Sequence, residues 1–228
     1  MRWRVEYLTL SKLTAFSYSR LTSYETCPKK YHALSVAKSV KEAESEHTIY
    51  GTEVHLAFAN YFKKGTLLPL HMKQYDKYLR AIKQYPGQFI VEQKLAINAN
   101  YEPTGWFDND VYCRIISDLT ILNNEIGVMW DWKTGKPSKD FTQLKLAAAV
   151  IFLMVPELQK IVMAFFWTKN KTITREIITR DEMPGVWSDL LPRIQRYMDA
   201  HAAQEFPAKP NPLCKYCPLT TCPYWERR

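Results

Sequence analysis

Apolar residues change their spacing several times along the chain, and each change marks an element. Over residues 50–64, Val54, Phe58 and the pair Tyr61–Phe62 recur at three- and four-residue intervals, the period of one helix face, and Gly65 ends the run. Residues 72–85 mix basic and apolar positions in a second helical pattern that stops at Pro86-Gly87. The texture then turns strand-like over residues 88–97, 111–122 and 127–134. Asn98–Asn100, Asn109-Asp110 and Asn123-Asn124 supply the turns between and after them. Residues 138–155 return to helical character with Ser138 as N-cap. Two β-rich runs follow, 160–168 and 172–179, and then an amphipathic helix over 181–204 that accommodates Pro192 only with a kink. Residues 11–50 are polar and mixed, and Pro and Cys dominate the tail from Phe206.

The order is helices, three strands, helix, two strands, helix, with no internal repeat. It predicts one α/β domain over residues 1–228: a central mixed β-sheet flanked by helices. Within it, residues 1–87 form a helical part containing Cys27 and His55, 88–180 the sheet core, and 181–228 a C-terminal helix with a cysteine-bearing tail. A chain of 228 residues buries one good-sized core, and 46% hydrophobic with 24% charged residues is ordinary for a globular protein. Residues 1–16 lack an apolar run ending in a small-residue cleavage site, so no secretory leader is read there. The most apolar stretch, 144–156, is interrupted by Lys145 and is shorter than the roughly 20 residues that span a bilayer. A soluble cytoplasmic protein without membrane association is expected, its five cysteines being thiols or metal ligands rather than disulfides. The net charge of +8 suits a polyanionic partner such as nucleic acid.

The third predicted strand ends in Trp130-Asp131-Trp132-Lys133-Thr134-Gly135. Alternate residues of a strand share a face, so Asp131 and Lys133 project together while the two tryptophans point the other way. A carboxylate at the end of an otherwise apolar strand is costly unless it is paired or coordinates something. Asp118 lies in the preceding strand, and antiparallel pairing brings it near Asp131. Two carboxylates hold a hard divalent ion, which polarises a phosphodiester and acidifies a water, and a lysine beside them orients that water or offsets developing charge. Taken alone, an Asp-x-Lys tripeptide is more often a surface ion pair.

The residues around it carry more. Gly51-Thr52-Glu53-Val54-His55, then Asp118, then Asp131-Trp132-Lys133-Thr134-Gly135, then Gln143 follow one another in an order that resembles the PD-(D/E)XK nuclease superfamily. Within it they resemble the RecB-like branch of CRISPR-associated and phage exonucleases. The resemblance spans residues 18–223 and implies a restriction-endonuclease-like core. It implies that His55, Asp118 and Asp131, with the backbone carbonyl of Trp132, bind Mg2+ or Mn2+. It further implies that Lys133 acts on the nucleophile and that Gln143 contacts the site. Glu92 matches a frequent family glutamate and is expected to support the site rather than ligate directly. The family's tyrosine four residues after the glutamine is Ala147 here. The activity implied is a metal-dependent DNA exonuclease on single strands or frayed ends. Partner proteins from recombination or CRISPR systems are implied, in a bacterial or phage-infected cell. The alternative is a cluster-bearing DNA-binding adaptor that has lost catalysis.

Cys214 and Cys217 form a C-x2-C knuckle, Cys222 follows, and prolines crowd the segment. Three thiolates leave a four-coordinate site one ligand short; Cys27 is the natural fourth, and Cys113 reads as a small core residue. Thiolate chemistry accepts either tetrahedral Zn2+ or an iron–sulfur cluster. The layout of one N-terminal and three C-terminal cysteines resembles the iron–sulfur subset of RecB-like nucleases, which implies a [4Fe–4S] cluster on Cys27, Cys214, Cys217 and Cys222 that clips the chain ends together. The last spacing is one residue shorter than the usual pattern. Candidate phosphate contacts are Arg20, Lys29, Lys30, Lys63, Lys64, Lys136 and Lys139, and Tyr18, Tyr24, Tyr31, Trp106 and Phe107 are aromatic residues able to stack on bases.

Overall fold

The computed structural model describes residues 14–225, so most of the stretch examined for a secretory leader lies outside the described residues. Six strands form one sheet: β1 (Gln88–Asn98), β2 (Pro103–Thr104), β3 (Val111–Asn123), β4 (Ile126–Lys133), β5 (Lys160–Trp167) and β6 (Thr172–Thr179), in the order β2-β1-β3-β4-β5-β6. The sheet is mixed. β4 and β5 are parallel, from Ile126↔Lys160 to Lys133↔Trp167, and the other pairings are antiparallel. A parallel pair needs a crossover, which the helix α5 (Thr142–Met154) supplies.

Each face of the sheet carries its own core. On one, α5 and the C-terminal helix α6 (Met183–Ala203) pack over Met129, Ile161, Met163 and Phe165, joined by Phe16, Leu21 and Tyr31 from the N-terminal segment. On the other lie α3 (Glu46–Lys64) and α4 (Asp76–Lys83), whose Val54, Phe58, Leu79 and Ile82 meet Leu119, Trp130, Trp132 and Phe166. Full burial of such a side chain contributes about 1.5–3 kcal/mol, so the β4 tryptophans fix which face of that strand turns toward α3.

Three elements differ from the sequence expectation. The polar stretch 18–36 is helical: α1 (Tyr18–Thr26), α2 (Pro28–Tyr31) and a π-helical turn (His32–Val36). The expected helix over 72–85 splits into a 3-10 segment (Leu70–Tyr75) and α4. Ser138 does not cap α5. Its hydroxyl accepts from Asp140 N–H, and the Asp140 carboxylate accepts from Thr142 N–H at 2.9 Å and so starts the helix four residues later. α6 runs unbroken through Pro192. Among the described residues no helix is long and apolar enough to cross a membrane.

Candidate active site

The β3–β4 ladder ends at the Leu119↔Trp130 pair, and Asp118 and Asp131 are the next residue of each strand beyond it. Both carboxylates are buried. Asp118 Oδ2 accepts the Trp132 N–H at 2.8 Å, which locks this carboxylate against the end of β4. The end itself is held by Thr168, whose N–H and hydroxyl both donate to the Lys133 carbonyl.

On the other side of β3 the ladder is interrupted. Pairing steps from Val91↔Leu119 to Gln93↔Ser117, skipping Glu92 and Asp118, and Glu92 sits at φ +53. A non-glycine residue in that region costs about 1–3 kcal/mol and persists only where its surroundings impose it. His55 arrives from α3, one turn beyond Gly51, where an added Cβ would lie 3.4 Å from the Thr134 hydroxyl. His55, Glu92 and Asp118 each present a ligand atom within 4.8 Å of the others. His55 Nδ1 lies 3.2 Å from Asp118 Oδ1, and Nε2 is 2.9 Å from the Trp132 carbonyl oxygen.

Asp131 has different partners. Lys133 Nζ is 2.7 Å from Asp131 Oδ2 and donates to Gln143 Oε1 at 2.9 Å; Gln143 in turn donates to Asp131 Oδ1 at 3.0 Å. The three side chains close a ring between β4 and α5. Burial, reinforced by the neighbouring Asp118 charge, pushes the Asp131 carboxyl up to about 6 in spite of Lys133. Burial and Asp118 likewise raise Glu92. Burial lowers the His55 imidazole, but the Asp118 hydrogen bond and charge, with Asp131 and the Trp132 carbonyl, outweigh it and leave the net value raised. Acceptors at both ring nitrogens favour an imidazolium in the metal-free protein.

Asp118, Asp131, Lys133 and Gln143 line a cleft of about 710 Å3 whose walls also include Arg114, Ile116, Trp106, Phe107 and Ser17 to Arg20. A model of the PD-(D/E)XK nuclease superfamily matches residues 15–116 and 116–223, nearly the whole chain. The chain belongs to the PD-(D/E)XK nuclease superfamily. No curated protein matches it. Among solved structures it is similar to an exonuclease candidate from Eubacterium rectale, at 14% identity and a TM-score of 0.51 over 89% of this chain and 86% of that one. It is also similar to a protein known as SSO0001, at 15% identity and a TM-score of 0.46 over 98% and 92%. At this identity the likeness concerns the fold.

As a member of this superfamily the protein is a nuclease, and nucleic acid is its substrate class. Asp118, Asp131, Lys133, Gln143, His55 and the Trp132 carbonyl, chosen from sequence, are brought together around one cleft. Glu92 is the addition. It was expected to lend support, yet it stands among the closest potential ligand atoms, whereas Asp131 is engaged by Lys133 and Gln143. The Trp132 carbonyl faces His55 Nε2. Two carboxylates and an imidazole suit a divalent ion such as Mg2+ or Mn2+, with the nitrogen donor favouring Mn2+. Ala147, at the family's tyrosine position, lies in the cleft wall. Two aromatic candidates for base contact are structural instead. Tyr31 is fully buried and shares a 2.6 Å hydrogen bond with Tyr197, and Tyr24 packs edge-on against both.

Cys27, Cys214, Cys217 and Cys222 line a single small recess, while Cys113 is a fully buried core residue, as its strand position suggested. Lys209 N–H points at Cys27 Sγ (3.5 Å) and Asn211 N–H at Cys214 Sγ (3.4 Å), the kind of amide–sulfur contact that tunes cluster thiolates. Four thiols around one recess, with amide N–H groups near two of the sulfurs, are a donor set that either a tetrahedral Zn2+ or an iron–sulfur cluster accepts.

Proposed function

We propose that the protein is a divalent-metal-dependent DNA exonuclease acting on single strands or frayed ends. The observation that carries this reading is the convergence of His55 and Glu92 on Asp118, which lines one cleft together with Asp131 and Lys133. His55, Glu92 and Asp118, with Asp131 adjacent, would hold the metal. When bound, the ion supplies positive charge that polarises a phosphate oxygen and acidifies a water.

The chain's own groups do the rest. Lys133, positioned by Asp131 and Gln143, places its ammonium where it orients a water and offsets negative charge growing on phosphorus. Gln143 donates to Asp131 Oδ1 and so fixes the orientation of that carboxylate. Asp118, anchored by the Trp132 N–H, enters the site already oriented. The exonuclease designation of a neighbour sharing the fold favours action at strand ends.

The cysteine recess is proposed to hold a [4Fe–4S] cluster with a structural role. Cys27 follows α1 and the other three follow α6, so cluster ligation favours the folded state by tying the two chain ends together. Cleavage of linear and circular labelled single-stranded DNA with Mn2+, by wild type and Asp131→Ala, tests the activity. Linear strands shortened to mononucleotides, circles left intact and an inactive variant are expected. Metal-independent cleavage, or equal cutting by Asp131→Ala, rejects the enzyme reading; cut circles reject the exonuclease part.

A further inference from the structure

The turn between β2 and β3 is the least water-like part of the cleft mouth. Phe107 is 87% exposed there, and the half-buried Trp106 beside it lines the same cleft as Asp118. A single exposed aromatic is unremarkable by itself. This one stands on a turn built to stay still.

The Asp108 carboxylate accepts the Gly105 N–H at 2.7 Å, and the single proton of the Thr104 hydroxyl is shared between Asp108 at 3.0 Å and Asp110 at 2.8 Å. A Cβ at Gly105 would sit 2.7 Å from both Asp108 oxygens, so a side chain there would displace the Asp108 carboxylate from its bond to the Gly105 N–H. Below it, the Trp106 carbonyl accepts from Arg114 Nε at 2.8 Å, while Arg114 and Lys94 both lie 5.7 Å from the Trp106 ring. Arg114 N–H is bonded in turn to the Phe16 carbonyl, which ties the turn to the opposite wall carrying Ser17 to Arg20. An exposed ring thus stands beside Trp106, whose own ring lies against two cations, in a cleft that also contains Asp118 and Asp131. Along β3, Arg114 and Asp118 are four residues, or about 13 Å, apart.

We propose that Phe107 is a base-stacking platform. An unpaired base at the cleft mouth lies on its ring, the phosphates behind that base pass Lys94 and Arg114, and the backbone continues inward to Asp118. The ligand is single-stranded nucleic acid, because a base can lie against a protein ring only when unstacked and unpaired. Stacking is blind to base identity, so the platform selects strandedness rather than sequence. This inference rests on the nuclease reading for the direction of the strand, but its test uses binding alone.

The experiment is fluorescence anisotropy of the intact protein in EDTA with a short thymidine oligonucleotide, the same strand carrying abasic residues, and a blunt duplex. Phe107→Ala is expected to bind the intact strand roughly 5- to 150-fold more weakly than wild type. On the abasic strand the two proteins bind alike, and Phe107→Trp restores wild-type affinity for the intact strand. The assignment is overturned if wild type binds no single strand, if Phe107→Ala binds the intact strand as wild type does, or if it loses equally on both strands. A wild-type protein that shows this binding pattern yet cuts nothing with Mn2+ leaves the platform standing and removes the nuclease reading.

Discussion

Replacing Asp131 by asparagine is expected to stabilise the metal-free protein while destroying its activity. The carboxylate is buried, and its pKa rises from 3.8 to about 6, with the help of Lys133 already included. A folded-state value above the unfolded one means that the native protein holds this proton more tightly. The associated stability is fully present below pH 3.8 and is lost as pH rises through about 6. Two pKa units correspond to about 3 kcal/mol, so above neutral pH the ionised carboxylate strains the fold by about that much. Asparagine keeps the shape and carries no charge, and it can still meet Lys133 through its carbonyl. For a chain of this length 3 kcal/mol is roughly 6–12 °C in Tm. Thermal melts followed by circular dichroism in EDTA at pH 8 should therefore place Asp131→Asn above wild type. The gap should shrink to about 1 kcal/mol near pH 4.5. Added Mn2+ should raise the wild-type melt by more than that of the variant. A variant that melts at or below wild type at pH 8 refutes the reasoning, because the carboxylate would then contribute to the metal-free fold instead of being held for a ligand.

Glu92→Gln is expected to weaken Mn2+ binding at least about 10-fold by titration calorimetry, since Glu92 stands with His55 and Asp118 among the closest donors; unchanged affinity removes it from the metal site altogether. Mn2+ affinity and cleavage should both rise with pH through and above 6, because His55 and Asp131, each with a raised pKa, must shed protons before the metal enters. Proton release measured in buffers of different ionisation enthalpy checks this, and a flat profile contradicts it. Cys217→Ser should abolish the brown colour of anaerobically purified protein and lower its melting temperature, whereas a colourless wild type carrying stoichiometric zinc contradicts the cluster.

Much of the sheet was legible because its period is short and its punctuation explicit. The Asn-rich turns bound β1, β3 and β4 within one or two residues, and alternation alone placed Asp131 and Lys133 opposite the two tryptophans. Residues 18–36 were not legible, for a physical reason. Only Leu21, Tyr31 and Ala33 are buried in those helices, so no apolar stripe announces them. They are held by distant partners: Glu25 by Arg193, the Tyr24 hydroxyl by the Arg196 carbonyl, and the preceding Phe16 by its bridge to Cys113. The role of Glu92 was hidden for a related reason. The β1–β3 register is the same on both sides of the gap, Val91↔Leu119 and Gln93↔Ser117, so Glu92 stands across from Asp118, a neighbourhood that depends on how two strands pair and not on the pattern within either. Local pattern locates strands; which of their carboxylates meet is decided by register, and there sequence reading stops.

The most direct test of the central claim is cleavage of an end-labelled single-stranded oligonucleotide by wild type and Asp118→Asn from parallel preparations, with Mn2+ and with EDTA. The expected result is rapid shortening by wild type in Mn2+ only, and a loss of at least about 100-fold in Asp118→Asn. Equal cleavage by the two proteins, or wild-type cleavage that persists in EDTA, contradicts a metal-dependent nuclease centred on Asp118.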